Sequence, residues 1–430
     1  MTILLLSLLL FLILGIPIAY ALGLSSFGYF VIQHPELLDI LPMRFFSGLN
    51  LYALIALPLF ILMGLLMNSS GITARLIDFS LLFVGRLRGG LGLVNVMASM
   101  IFGGISGSSA SDTASIGAVL IPEMEKRGYP KRFAAGITVA SSTMGMIIPP
   151  SIPMVLYAII AEESVGKLFL GGLIPGVMIG LFQLGIVLII SIKNNYPTEE
   201  VSLTLQNVVR QGKRSSVALV MPLFVVGTVV FGVATATESA AMGAGYALLV
   251  GILLTTGVAR SNYLKKTLPQ TLNSAIQTSA KIMIIIAMSK LYIWVLALER
   301  IPEAVTAFVV AMALPPTVML LFIVLIILIA GTFIDVSPAI MLLTPVFLPA
   351  CVAVGISPIQ FGAILISALA VGAVTPPVGT CINVASAISG LGIGTIFKGA
   401  APFLLANVIT LILISIFPAL TLWIPSLFMN

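Results

Sequence analysis

Gly145-Met146-Ile147-Ile148-Pro149-Pro150-Ser151 and Gly372-Ala373-Val374-Thr375-Pro376-Pro377-Val378-Gly379-Thr380 each interrupt an apolar run of membrane-spanning length, and their reading decides the fold. Two consecutive prolines remove two backbone N–H donors and clash with the preceding turn, so a helix must unwind at each pair. From Pro149 to Pro376 is 227 positions, and the same offset relates Gly104 to Gly331, Pro122 to Pro349, Gly128 to Gly355, Ile137 to Ile364 and Gly145 to Gly372. These are mostly helix-breaking residues recurring in one order: hairpin, Pro, loop Gly, helix, Gly, Pro-Pro. The chain therefore contains an internal repeat.

Composition places that repeat in lipid. Of 430 residues, 60% are hydrophobic and 8% charged, against roughly 25% charged in soluble domains. A water-soluble enzyme, a disordered chain and a disulfide-stapled secreted domain are all excluded. Cys351 and Cys381 lie in apolar runs and read as small buried hydrophobes. The net charge of +6 comes from Lys and Arg scattered among short loops, a positive-inside pattern and not a nucleic-acid stripe. The run from Thr2 to Leu14 has no Lys or Arg ahead of it, the first being Arg44, so it reads as a membrane helix and not as a signal peptide.

Apolar runs occur at about 3 to 31, 50 to 67, 133 to 160, 168 to 192, 215 to 233, 239 to 257, 276 to 298, 315 to 330, 359 to 388 and 399 to 424, near the ~20 residues a helix needs to cross. Basic residues cluster in four connections, around Arg86, Lys131, Arg210 and Lys265, all expected on the cytoplasmic side. Residues 91 to 123 leave and return to that side and carry the small, polar interruption Gly103 to Asp112, so they read as two half-helices in a re-entrant hairpin. A second hairpin is expected over 331 to 349, ending at Pro349, with Ser337 as N-cap and Pro338 at the first helical position. Its flanks carry only Arg300 among basic residues, so it should open to the opposite face, making the repeat inverted. The fold class is thus all-α polytopic, an inverted repeat with two re-entrant hairpins and two Pro-Pro-broken helices.

Helix breaks at membrane depth free backbone oxygens, here those of Gly145, Ile148, Gly372 and Thr375, and a dehydrated Na+ wants oxygen ligands. One Na+ site is expected around Ser106, Ser109, Asp112, Gly145, Ile148 and Pro150, and a second around Gly331, Thr332, Asp335, Gly372, Thr375 and Gly379. Asp112 and Asp335 stand at the two tips, where an ionisable residue costs at least ~2.5 kcal/mol unless compensated. Asp112 could instead cap the second half-helix, whereas Asp335, two residues before its expected N-cap, is less well explained that way. A carboxylate-bearing substrate is expected at the half-helix N-termini, between Ser108, Ser109, Ser151, Ser337, Thr375, Pro376 and Thr380.

Other polar residues read more plainly. Glu238 is a solvated helix-start acid and His34 a surface-loop histidine. Gly104-Ile105-Ser106-Gly107 matches the GxSG pattern of rhomboid-like proteases, but those need an embedded His and this chain has only His34. A presenilin-like use of Asp112 and Asp335 lacks the Gly-x-Gly-Asp context. Lys281 can snorkel, while Lys290 lies deeper and wants a carboxylate or a subunit contact. Segments 197 to 214 and 259 to 275 are polar enough to lie along the cytoplasmic surface.

Ser109-Ala110-Ser111-Asp112-Thr113-Ala114, Ile147-Ile148-Pro149-Pro150-Ser151 and Thr375-Pro376-Pro377-Val378-Gly379 are the most specific parts of a pattern that, over essentially the whole chain, resembles the large membrane subunit of a TRAP (tripartite ATP-independent periplasmic) transporter. The resemblance implies an elevator-type, Na+-coupled importer of sialic acid or a C4-dicarboxylate in the bacterial cytoplasmic membrane, with no enzymatic activity. It divides the chain into N-terminal scaffold helices (1 to 90), a first hairpin and broken helix (91 to 160), further scaffold with the interfacial segments (161 to 300), a second hairpin and broken helix (301 to 390) and a C-terminal helix (391 to 430). Its implied partners are a small four-helix membrane subunit, a periplasmic substrate-binding protein, an anionic small molecule and the lipid bilayer, with no nucleic acid. A stand-alone dicarboxylate symporter, or a channel or structural subunit, is the competing reading.

Overall fold

The computed structural model describes residues 2–199, 204–255 and 257–429, and they contain no strand. α1 (Thr2–Ile13) and α2 (Ile18–Gln33) replace the single N-terminal span expected over 3 to 31. Gly15 in the left-handed region and Pro17 separate them. α3 (Leu41–Leu49) follows, then α4 (Ala56–Ser69) and α5 (Ile72–Val84). The first hairpin is α6 (Gly90–Ser106) and α7 (Ser109–Lys126); the first broken helix is α8 (Lys131–Ser142) and α9 (Ile152–Ala161). α10 (Val165–Lys193), α11 (Leu205–Val230), α12 (Ala236–Leu254), α13 (Gly257–Asn262), α14 (Leu268–Leu298) and α15 (Ile301–Ala311) lead to the second hairpin, α16 (Pro316–Phe333) and α17 (Val336–Ala353). α18 (Pro358–Gly372) and α19 (Thr380–Ser389) form the second broken helix, and α20 (Ile393–Ile416) and α21 (Ala419–Phe428) close the chain. Among the described residues, eight helices are long and apolar enough to cross a membrane.

Local chemistry sets many of these boundaries. Ser151, Ser164, Thr204 and Ser357 accept backbone N–H bonds as N-caps of α9, α10, α11 and α18. Thr235 and Glu238 form a reciprocal capping box at α12, which gives Glu238 the helix-start role expected of it. The interfacial helix expected over 259 to 275 is instead continuous with the membrane helix, since α13 passes through a π turn at Tyr263–Thr267 directly into α14. Residues 205 to 214 likewise run unbroken into α11, while 200 to 203 of the other expected interfacial segment lie outside the described residues.

The repeat holds element by element. Adding 227 to the bounds of α7 gives 336 to 353, the bounds of α17; adding it to α5 gives 299 to 311, against Ile301–Ala311 for α15. α8, α9 and α10 map in the same way onto α18, α19 and α20. The packing is reciprocal too: α7 lies against α19 and α17 against α9, the pattern a twofold axis produces.

Two expectations about the hairpins change. The second hairpin covers 316 to 353 and not 331 to 349, because the apolar run at 315 to 330 is its first arm and α17 continues through Pro349 to Ala353. Nor are the arms half-helices. At 17 and 18 residues they are about 26 Å long, yet the first tip ends inside the protein, with Ser106, Ser109 and Asp112 at most 5% exposed. Both open ends of this hairpin meet one loop, for Gly89 N–H donates to Pro197 O (3.1 Å) and Arg127 pairs with Glu199 (2.5 Å). Cysteines at the exposed positions Leu87 and Glu125 should therefore label from one side of the membrane, and cysteines at Leu314 and Ala353 from the other. Labelling of 87 and 125 from opposite sides would make the segment a crossing and remove the hairpin.

Candidate functional site

Glycine lets the two tips touch the two helix breaks. A Cβ on Gly103 would come within 3.0 Å of the Gly145 backbone, and one on Gly372 within 2.5 Å of Gly331. Backbone groups then pair across the contact. Ile152 N–H donates to Gly107 O (3.3 Å), and Val378 N–H donates to Thr332 O (3.2 Å). The Pro149-Pro150 and Pro376-Pro377 peptide bonds are both cis.

In the first half, Ser108 is the N-cap position of α7, so Asp112 lies one turn inside the helix and is not its cap. The Ser106 hydroxyl donates to Asp112 Oδ1, and the Ser108 N–H donates to Ser106 Oγ (3.1 Å). Asp112 Oδ2 is buried with no hydrogen-bond partner and points at Gly145, where a Cβ would sit 2.1 Å away. Gly107 and Gly104 approach Pro150 O and Pro149 O. Cys381 donates to Ser109 Oγ (3.1 Å), tying α19 to the tip; both cysteines are free and buried. Ser106, Ser109, Asp112, Gly145 and Pro150 are thus brought together; Ile148, expected here through its backbone carbonyl, directs its side chain towards Gly176 of α10.

In the second half, Asp335 occupies the N-cap position that was expected for Ser337, and α17 starts at Val336. The Asp335 side chain makes no capping bond and lines a cavity. Thr332 and Thr375 donate to their own helices at Ile329 O and Val371 O (both 2.8 Å). The Gly372 carbonyl is not free, since it accepts from Thr375 N–H (2.9 Å). Gly379 takes the left-handed conformation (φ +40°) that turns the chain into α19.

The cavity holds about 330 Å³. Its wall contains Ser106 to Ser111 of the first tip, Asp335, Val336 and Ser337 of the second, Ile152 and Pro153 at the start of α9, and Thr380 at the start of α19. Four helix N-termini therefore converge on it. Ser108, Ser109, Ser337 and Thr380 are on the wall as expected; Ser151, Thr375 and Pro376 are not. Ser151 is buried and committed, donating to Met146 O (2.5 Å) and accepting from Met154 N (3.3 Å). The opposite wall is Ile61, Gly64 and Leu65 of α4 with Thr278 and Ile282 of α14. Sequence reasoning missed all five, and only their position on spanning helices hinted at them.

A polytopic helical bundle whose broken helices and hairpin tips enclose one cavity is the arrangement found in secondary transporters. Residues 5–420 match the family described as "Tripartite ATP-independent periplasmic transporter, DctM component", and the chain belongs to that family. It is 36% identical over 406 residues to the C4-dicarboxylate TRAP transporter large permease protein DctM of Pseudomonas aeruginosa, covering 94% of each chain. It is 32% identical over 416 residues to the sialic acid TRAP transporter permease protein SiaT of Haemophilus influenzae, covering 96% of this chain and 66% of that one. Its fold is similar to that of the YdaH transporter of Alcanivorax borkumensis, with a TM-score of 0.63 at 13% identity over 90% of this chain and 88% of that one.

Changing Ser106 to Ala should leave both Asp112 oxygens buried without a donor. The expected cost is about 1–3 kcal/mol, read as a lower melting temperature of the purified protein. An unchanged melting temperature would mean the Ser106 bond contributes nothing.

Proposed function

We propose that this chain is the large membrane subunit of a tripartite importer in the bacterial cytoplasmic membrane, coupling Na+ entry to uptake of a small organic acid by an elevator displacement. The observation that carries this reading is the convergence of four helix N-termini and seven hydroxyl-bearing residues, Ser106, Ser108, Ser109, Ser111, Thr278, Ser337 and Thr380, on one cavity whose wall holds no Lys or Arg among the described residues. Helix N-termini carry partial positive charge and unsatisfied N–H groups, which suit a carboxylate. The relatives' names mention C4-dicarboxylate and sialic acid, both carboxylates.

Sodium is supported by the donor set. The orphaned Asp112 Oδ2 beside Gly145, with Ser106 and Ser109 adjacent, lacks the partner that a buried carboxylate oxygen needs. Asp335, whose side chain makes no capping bond, stands with Gly331 at the equivalent place of the second half, although the Thr332 and Gly372 carbonyls already accept backbone bonds there. The moving unit in this reading is α6 to α10 with α16 to α21. α10 and α20 join it, unlike in the boundaries read from sequence, because they press on the broken helices: a Cβ on Gly172 would lie 2.4 Å from Ile147 O, and one on Gly136 lies 2.3 Å from the Gly399 carbonyl carbon. α1 to α5 and α11 to α15 form the scaffold. A binding protein delivers the substrate, and a small four-helix subunit supports the scaffold. The greater length of SiaT leaves room for that subunit in one polypeptide.

Uptake into liposomes containing the assembled transporter tests the sodium sites. Asp335→Ala should raise the Na+ concentration for half-maximal uptake about tenfold, the loss of one charge-assisted contact. Unchanged Na+ dependence at normal expression counts against Asp335. The same liposomes test coupling. Each unit charge is worth ~2.3 kcal/mol per 100 mV, so two Na+ with a monoanion carry one net charge inward and uptake should rise with an inside-negative potential. No response under K+ and valinomycin would require a dianion or an unused Na+ site.

A further inference from the structure

Lys290 is a half-buried lysine in the span Gly257–Leu298, and among the described residues it forms no ion pair. Its stem lies against α3, where a Cβ on Gly48 would come within 2.7 Å of Lys290 Cγ. A charge at membrane depth costs at least ~2.5 kcal/mol unless it is compensated. The site therefore accommodates this lysine without supplying a partner for it.

Its position on α14 suggests where the partner comes from. Thr278, Ile282, Ile286 and Lys290 follow one another at four-residue intervals, an inclined i, i+4 ridge. Thr278 and Ile282 form the cavity wall. Ile286 and Lys290 border a gap of only about 10 Å³, closed on its far side by Leu156, Ile159 and Ile160 of α9 and Met341 of α17. α9 and α17 are the helices whose N-termini reach the cavity, and Leu156 and Met341 lie about one turn beyond those ends. Cavity and gap are thus successive levels of one seam. Eight residues separate Ile282 from Lys290, a rise of about 12 Å along α14.

The repeat adds one point of correspondence. Subtracting 227 from Thr278 gives Leu51, which lines the gap as Thr278 lines the cavity. α14 begins beside Lys265 and Lys266, which places the cavity on the cytoplasmic half and Lys290 on the outer half.

We propose that Lys290 is an outer anion subsite, met by the substrate carboxylate when the cavity is carried along α14 to the level of the gap. This rests on the elevator reading above. The ammonium adds to the helix N-termini at the outer position and is left behind as the cavity moves inward. Affinity is then higher where substrate is received and lower where it is released.

Two measurements on the reconstituted transporter with its membrane and binding-protein partners separate this proposal from the reading it rests on. The first is disulfide formation between S337C and either I282C or K290C, with buried Cys351 and Cys381 as a silent background. Both pairs should cross-link under turnover. The second is uptake. K290Q should lower it about tenfold at limiting substrate, the loss of a charge-assisted contact, while K290R keeps most of it. K290C should regain uptake with an aminoethyl thiosulfonate and not with a sulfonatoethyl one, a difference that a packing role would not produce. Cross-linking of S337C to K290C with uptake indifferent to the charge at 290 would leave the elevator standing and overturn the subsite. Cross-linking to I282C alone would mean the cavity never reaches Lys290 and would overturn both.

Discussion

Backbone that unwinds at membrane depth must find its hydrogen bonds inside the protein, and the rest of this architecture depends on that constraint. Each Pro-Pro break and each hairpin tip would leave polar groups stranded if it stood alone, at a cost of several kcal/mol. Here each serves the other: Ile152 N–H is satisfied by Gly107 O, and Val378 N–H by Thr332 O. Such bonds require the two backbones to come closer than any side chain allows. Glycine consequently occupies Gly103 against Gly145, and Gly331 against Gly372. The cavity is what remains between the two satisfied pairs.

A second set of contacts makes the broken helices part of a stiff block. Asn95 donates to Thr138 (2.7 Å), Ser99 bonds Ser141 (2.9 Å), and Gln183 donates to Asn407 (2.9 Å), which donates to Thr143 (2.7 Å). This buried chain joins α6, α8, α10 and α20. Apolar side chains facing lipid tails or one another discriminate little between neighbours, so hydrogen bonds and close small-residue packing specify which helices stay together. Individually such bonds average only about 0.6 kcal/mol. Their number and continuity, and not the strength of any one, hold the block as a unit.

The breaks, the first hairpin and the repeat were legible in the sequence because prolines and glycines act on the backbone where they stand. The second hairpin was mis-bounded for an equally physical reason: its first arm, residues 316 to 333, has the composition of an ordinary span, and hydropathy does not distinguish the two. The repeat itself held the correction, since residues 91 to 123 carried forward by 227 reach 318 to 350. Other features depend on neighbours that no local pattern encodes. Ser151 looked available for substrate until its hydroxyl proved to be spent on Met146 O and the α9 cap. Thr278 and Ile282 became cavity wall only through the packing of α14 against the tips.

A cavity that uses helix dipoles and hydroxyls in place of a fixed cation has a consequence for coupling. A permanent Arg or Lys travelling with the site would bind an anion whether or not sodium was present. The mobile charges at these tips are instead Asp112 and Asp335, both negative when ionised, and without sodium they oppose the partial charges of the four N-termini. In the proposed cycle, sodium beside them reverses the local balance and lets the dipoles act on a carboxylate. Because coupling free energy is reciprocal, a carboxylate in the cavity must then tighten sodium binding by the same factor. In the proposed cycle the acids at the tips therefore penalise movement of substrate alone, since the site is electrostatically complete only when both are bound.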